Sequence, residues 1–187
     1  MPRRRPAWPT DQLRAAIDRV IQILEDPALP AREKVDDRRR AIREVGNSLF
    51  DWPETARRSL GLHWRQRTDA ERAGFVNLFR DLLERTYLAK IERYRGEKVT
   101  YVRESVDDSA VGKVRTLIDT KRDRRISVDY LMRRCGDRWL VYDVLIENVS
   151  LAGNYRSQFT DILRTTSYAE LVKKMEAKIL SLSAADR

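Results

Sequence analysis

Apolar residues in the first half of the chain recur every three or four positions, and after Gly96 the spacing drops to two. Thr10 is a candidate N-cap, and Leu13, Ile17, Val20, Ile21 and Leu24 behind it predict a helix that Asp26-Pro27 stops. Val35, Ile42, Val45 and Leu49 form the stripe of a second helix starting near Pro30. Asp51 with Glu54 three residues on marks a third helix start, and Gly61 after Leu60 suits the left-handed position that ends it. Thr68 and Glu71 make a capping box. It opens the most strongly patterned helix, which carries Phe75, Leu78, Phe79, Leu82, Tyr87, Ile91 and Tyr94 on one wide face and is expected to close at Gly96. So many rings suit a sheet or a cavity wall, although plain core packing explains any one of them.

Four candidate strands follow, over 98–106, 111–120, 125–134 and 138–149. The breaks between them, DDSA, KRDRR and CGD, are short and polar, which favours an antiparallel meander. Tyr155, Phe159, Ile162 and Leu163 then return to helical spacing, and Ser167 with Glu170 caps a last helix carrying Leu171, Val172, Met175, Ile179 and Leu182. This order predicts an α+β fold, its helices gathered on one face of a four-stranded antiparallel sheet. No internal repeat or low-complexity linker interrupts it. One domain is expected over 1–187, with 1–9 disordered, helices within 10–95, the sheet within 97–149 and helices within 150–184.

Alternation along the strands bears on function. In the third, Ile126, Val128, Tyr130 and Met132 share a side opposite Ser127, Asp129, Leu131 and Arg133. The fourth opens the stretch WLVYDVLIENVSLAGNYRSQF, from Trp139 to Phe159, and is apolar on both sides: Leu140, Tyr142, Val144 and Ile146 oppose Trp139, Val141 and Leu145. Either helices cover both of its faces, or one face lines an apolar cavity roofed by the aromatic helix. A two-residue turn at Gly136-Asp137 would set Asp143 opposite Tyr130, and a three-residue turn would set it opposite Asp129. Two adjacent carboxylates in an apolar hollow would raise one pKa and could serve acid–base chemistry, unless Arg103, Arg115 or Arg133 on neighbouring strands neutralised them.

Composition narrows the classes. With 42% hydrophobic residues the chain can bury a core, and no apolar run in it approaches the roughly 20 residues a membrane-crossing helix needs. The net charge of +9 predicts an anionic partner: nucleic acid, phospholipid headgroups or an acidic protein face. Basic runs at 3–5, 38–40 and 121–125 raise the nucleic-acid reading, yet the aromatic residues that would serve as stacking platforms sit on apolar stripes away from them, so no nucleic acid is expected. One histidine (His63) and one cysteine (Cys135) are too few for a zinc site, so neither metal nor cofactor is expected, and a lone cysteine forms no internal disulfide. There is no G-x-S-x-G, no phosphate-cradling glycine loop and no H-E-x-x-H. An enzyme acting on a small apolar substrate, of the NTF2-like kind, would have to rely on Asp129, Asp143 or His63. The opening MPRRRPAWPT has a charged cluster with no apolar segment behind it, so no signal peptide is read there.

Several segments are more specific: DWPETARRSLGLHW, FVNLFRDLLERTYLAKIERYRGEKV, ISVDYLMRRCGDRWLVYDVLIENVSLAGNYRSQF and YAELVKKMEAKI, in that order. Together, from about Asp51 to Leu182, they resemble the MlaC family, the toluene-tolerance family of periplasmic phospholipid-transport proteins. The resemblance implies helices wrapped on a strongly curved antiparallel sheet similar to cystatin-like and NTF2-like sheets, with a deep apolar pocket for acyl chains. It implies a non-enzymatic shuttle that carries phospholipid, or a hopanoid-like lipid, through the periplasm between an outer-membrane lipoprotein complex and an inner-membrane ABC transporter, with transient membrane proximity; a carrier that hands off cargo is expected to be a monomer. A leader would then have been removed. The family pattern has Gly before VSL where this chain has Asn148, a residue that tolerates positive φ. Residues 1–43 carry none of the motifs.

A lipid with two C16 chains exposes on the order of 30 methylenes, and at about 0.8 kcal/mol each their hydration costs over 20 kcal/mol. A cavity of at least several hundred Å³ is expected to shelter them. On the helical side the expected lining is Trp64, Phe75, Phe79, Leu82, Tyr87 and Tyr155. On the strands it is Tyr101, Val114, Ile118, Val128, Tyr130, Val141, Leu145 and Val149. Arg156 is expected at the rim, as a phosphate partner or in a salt bridge fixing its helix.

Overall fold

The computed structural model describes residues 8–27, 35–120 and 124–185. Six α-helices and five strands run through them: α1 (Pro9–Glu25), α2 (Val35–Leu49), α3 (Trp52–Leu60), α4 (Asp69–Ile91), β1 (Lys98–Val106), β2 (Val111–Asp119), β3 (Arg125–Cys135), β4 (Arg138–Ile146), β5 (Val149–Ser150), α5 (Leu151–Thr165) and α6 (Tyr168–Ala185). A 3-10 turn, Gly61–Gln66, follows α3. The expected disordered start up to residue 7, the helix start near Pro30 and the basic residues at 3–5 and 121–123 lie outside the described residues. Internal packing divides the chain into two compact units, each made of two separated stretches. Met1–Asp51 joins Arg95–Asn148 in a sheet unit, and Trp52–Tyr94 joins Val149–Arg187 in a helical unit.

The strand order is β1-β2-β3-β4-β5, an antiparallel meander of five strands where four were expected. The fifth exists because a tight turn cuts the expected fourth strand: Glu147 and Asn148 take φ of 52° and 65°, as a type I′ turn requires. The β3–β4 hairpin turns on Gly136, at φ 61°, with Cys135 paired to Arg138. The register of a two-residue turn holds from there to Met132 opposite Val141 and fails beyond. A bulge sets Leu131 opposite Asp143 and Met132 opposite Val141, so Tyr142 is the extra residue and Asp143 faces neither Tyr130 nor Asp129. A second bulge, at Val102, bends β1.

Helix α1 lies on the sheet. It starts at Pro9 with Trp8 as N-cap, ahead of the expected cap Thr10, because proline's missing N–H costs nothing at the first helical position. Gly112 of β2 makes room for it: a Cβ there would stand 3.0 Å from Pro9 Cγ and 3.2 Å from the Trp139 ring. The Thr10 N–H donates to the Glu104 carboxylate at 2.7 Å. Gln12 donates to the Trp139 carbonyl at 2.6 Å and accepts from its N–H at 2.8 Å. Phe50 bridges in parallel beside Val141, whose carbonyl accepts from the Asp51 N–H. Together these cover backbone groups on β4 that an edge strand would leave open.

The helical unit is built around rings. The Thr68 hydroxyl accepts from the Glu71 N–H at 3.2 Å, and the Glu71 carboxylate accepts from the Thr68 N–H at 2.8 Å, completing the expected capping box. Helix α4 ends at Ile91, short of the expected Gly96. Phe75 stacks on Phe79 with centroids 5.8 Å apart, and Phe159 of α5 meets both edge-on. Leu82, Leu171, Met175 and Ile179 complete the core. No helix among the described residues is long and apolar enough to cross a membrane.

Candidate functional site

Strand register assigns every sheet residue to a face. Tyr101 pairs with Thr116, Val99 with Ile118, Val114 with Tyr130, Thr116 with Val128, and Tyr130 with Val144. These residues share the α1 face, where Leu13 packs against Val114, Val128, Met132, Trp139 and Val141. Six of the predicted lining residues therefore sit under α1 or beside it: Tyr101, Val114, Ile118, Val128, Tyr130 and Val141. Val114 and Val141 are fully buried there. Tyr130 and Tyr101 are packed against the same cluster, and burial pushes each phenol up to about 12. Arg14 lies 4.2 Å above the Tyr101 ring, and the Tyr101 hydroxyl is buried without a hydrogen-bond partner among the described residues.

Leu145 is opposite Asp129, on the other face. One pocket wall cannot collect both faces of a sheet, so the register separates Leu145 from the other six. Its face also carries Leu117, Leu131 and Leu140, all half-buried. These three leucines were absent from the predicted lining. Leu117 and Leu131 alternate with charged neighbours on their strands, and Leu140 lies opposite Arg133, as a two-residue turn predicts; the bulge at Tyr142 is what moves Leu145 onto their face.

The same face is where the charges lie. Asp129 is 2% exposed. It takes two bonds from Arg115, Nε to Oδ1 at 2.7 Å and Nη2 to Oδ2 at 2.8 Å, and an ion pair from Lys113 Nζ at 2.7 Å. The Arg115 guanidinium, with Lys113 beside it, holds the Asp129 carboxyl below the usual carboxylate range. Buried Asp51 pairs with Arg133. Asp143 accepts from the Val144 N–H at 2.9 Å. The carboxylate pair that acid–base chemistry would need is thus not assembled: Asp129 is kept ionised, and Asp143 faces a leucine. His63 is half-buried in the 3-10 turn. Among the described residues no three of His, Cys, Asp or Glu gather into a metal site.

Of the candidates in the helical unit, Phe75, Phe79 and Leu82 are core, while Trp64, Tyr87 and Tyr155 are partly buried against it. Burial raises the Tyr87 and Tyr155 phenols above their ordinary range. Val149 is 62% exposed. Arg156 is exposed and makes no ion pair among the described residues; its side chain lies over Gly61, where a built Cβ would stand 3.1 Å from Arg156 Cδ and where the φ of 59° favours glycine.

Each unit also carries an open cleft. One, of about 350 Å³, lies between α1 and α2 and is bordered by Gln12, Ala16, Arg19, Val45, Leu49 and Arg138. The other, of about 400 Å³, lies between α4 and α6. Of the predicted lining residues Phe75 borders the second, and none borders the first.

The family model described as MlaC protein matches residues 14–177. Among solved structures, a phospholipid-binding protein from Ralstonia solanacearum, determined in complex with a phospholipid, is 24% identical and shares the fold with a TM-score of 0.82. The match covers 95% of this chain and 99% of that one. The family match takes in α2 to α5 entire, with most of α1 and about half of α6. The chain belongs to the MlaC family.

Proposed function

We propose that the protein binds a phospholipid and carries it through the periplasm, between an outer-membrane lipoprotein complex and an inner-membrane ABC transporter. The observation that carries the reading is the shared fold, over nearly the whole chain, with a protein whose partner in the crystal is a phospholipid. Binding rather than catalysis also fits the charges: the best acidic candidate, Asp129, is neutralised by Arg115 and Lys113 instead of being poised to move a proton.

The acyl chains are placed against the sheet face opposite α1. Leu117, Leu131, Leu140 and Leu145 are half-buried there, so each still has apolar surface to give to a ligand. Val114 and Val141, fully buried on the α1 side, have none left. Arg156, in the helical unit, is by itself a candidate partner for an anionic group, since no carboxylate among the described residues holds it. Cargo is a phospholipid or a lipid of similar apolar bulk, and no cofactor takes part.

Transfer of a fluorescent phospholipid from donor to acceptor vesicles tests this. The protein should accelerate transfer in proportion to its concentration. Leu145→Gln, which removes apolar surface worth about 1.5–3 kcal/mol if covered by lipid, should weaken lipid retention ten-fold or more. A protein that neither extracts nor delivers phospholipid would refute the proposal.

A further inference from the structure

The cleft between α4 and α6 is a built groove. The two helices run side by side in the same direction, tied at one end by the Tyr168 hydroxyl donating to the Glu71 carbonyl at 3.2 Å and at the other by Arg85 donating to Ser183 at 2.6 Å. Its floor is apolar, formed by Phe75, Leu78, Tyr168 and Val172. Every charged residue bordering it is acidic, namely Glu71, Asp81 and Glu176, on a chain of net charge +9. Arg67, whose guanidinium also lies 4.6 Å over the Tyr168 ring, pairs with Glu71, and Arg85 pairs with Asp81, whereas Glu176 makes no ion pair among the described residues. From Glu71 to Asp81 the wall is about 15 Å long, at about 1.5 Å per residue.

Gly74 is the second observation. It lies inside α4, where glycine is the poorest residue after proline, and a Cβ built on it would meet nothing within 4 Å. Packing within the chain does not require glycine there. What it does provide is a gap in the groove wall through which another backbone can come close.

We propose that this groove docks an amphipathic helix of a partner protein, apolar on the side it presents and flanked by Lys or Arg. Apolar side chains at helical spacing fill the floor, the cations meet Glu176, Glu71 and Asp81, and the partner's backbone approaches over Gly74. Acidic walls disfavour an anionic lipid as occupant. The docking stands whether or not the chain carries lipid.

The test uses the full chain and two labelled 18-residue helical peptides, one with Leu at i, i+3, i+4 and i+7 and Lys beside them, the other with each Lys replaced by Glu. The Lys peptide should bind saturably, with amide shifts confined to α4 and α6, and at least ten-fold more tightly than the Glu peptide. Gly74→Gln fills the gap with a residue that favours helix, so its melting temperature should hold or rise while peptide affinity falls at least ten-fold; Glu176→Lys should weaken binding as well. Absence of binding, or binding unchanged in both variants, overturns the proposal. So does self-association that Gly74→Gln abolishes, which would make a second copy of this chain the occupant. Lipid transfer by Gly74→Gln should match the parent, so failure of docking and failure of lipid carriage are read separately.

Discussion

The two units solve the burial problem by different means. In the helical unit the interior is ring against ring: Phe75, Phe79, Phe159 and Tyr155 form one cluster, and the largely covered Glu54 carboxylate of α3 is paired with Arg57 and Arg58. In the sheet unit one face is a mixed core under α1, mostly aliphatic with Trp139 buried in it, while the other buries Asp129, Asp51 and Asp143 among half-covered leucines. A face that mixes buried carboxylates with partly exposed Leu117, Leu131, Leu140 and Leu145 is a poor core. Asp129 is clamped by Arg115 and Lys113 and Asp51 by Arg133, and as the proposed lipid wall the face would have its leucines completed by acyl chains. In the proposed reading, stability and ligand contact are divided between the two faces of one sheet.

The largest expected break comes from the rings. Phe79 is fully buried, and Phe79→Ala should cost about 3–5 kcal/mol in denaturant unfolding, through lost contacts with Phe75, Tyr155 and Phe159 and the cavity left behind. Hydrogen exchange should rise first in α4, α5 and α6; equal loss of protection in β2 and β3 would erase the distinction between the units.

Asp129→Asn removes a charge-assisted pair and should cost about 1.5–3 kcal/mol, less than the ring deletion. Its pH signature is specific. The folded pKa lies below the unfolded one, so this stabilisation is fully present above the unfolded value of about 3.9 and is lost as pH falls through the folded value. The parent should therefore lose stability more steeply than Asp129→Asn as pH falls below about 4. Parallel curves would show that the clamp contributes nothing. Thr68→Ala is the smallest test: it removes one side of the α4 capping box and should lower stability by about 1 kcal/mol, with the start of α4 fraying first in exchange measurements.

Local chemistry was readable from the chain and long-range chemistry was not. Thr68 with Glu71, Ser167 with Glu170, and Gly61 mark helix ends through bonds made within a few residues, and all appear where expected. Asn148 adopts the positive φ that its place before VSL implied. The end of α4 at Ile91 escaped, because apolar spacing continues to Tyr94 after the helical bonds have stopped. The bulge at Tyr142 escaped for a deeper reason. It depends on how β4 lies against β3, and one inserted residue moves every later side chain to the other face. That slip is why strict alternation groups Leu145 with Val141, although the two lie on opposite faces.

Bound lipid is the most direct test of the central claim. Protein expressed to the periplasm, purified without detergent and examined by native mass spectrometry should carry an added mass that fragments to a phospholipid, retained by the parent and depleted in Leu145→Gln. A chain that stays at its bare mass after purification, and again after incubation with phospholipid vesicles, would contradict the account.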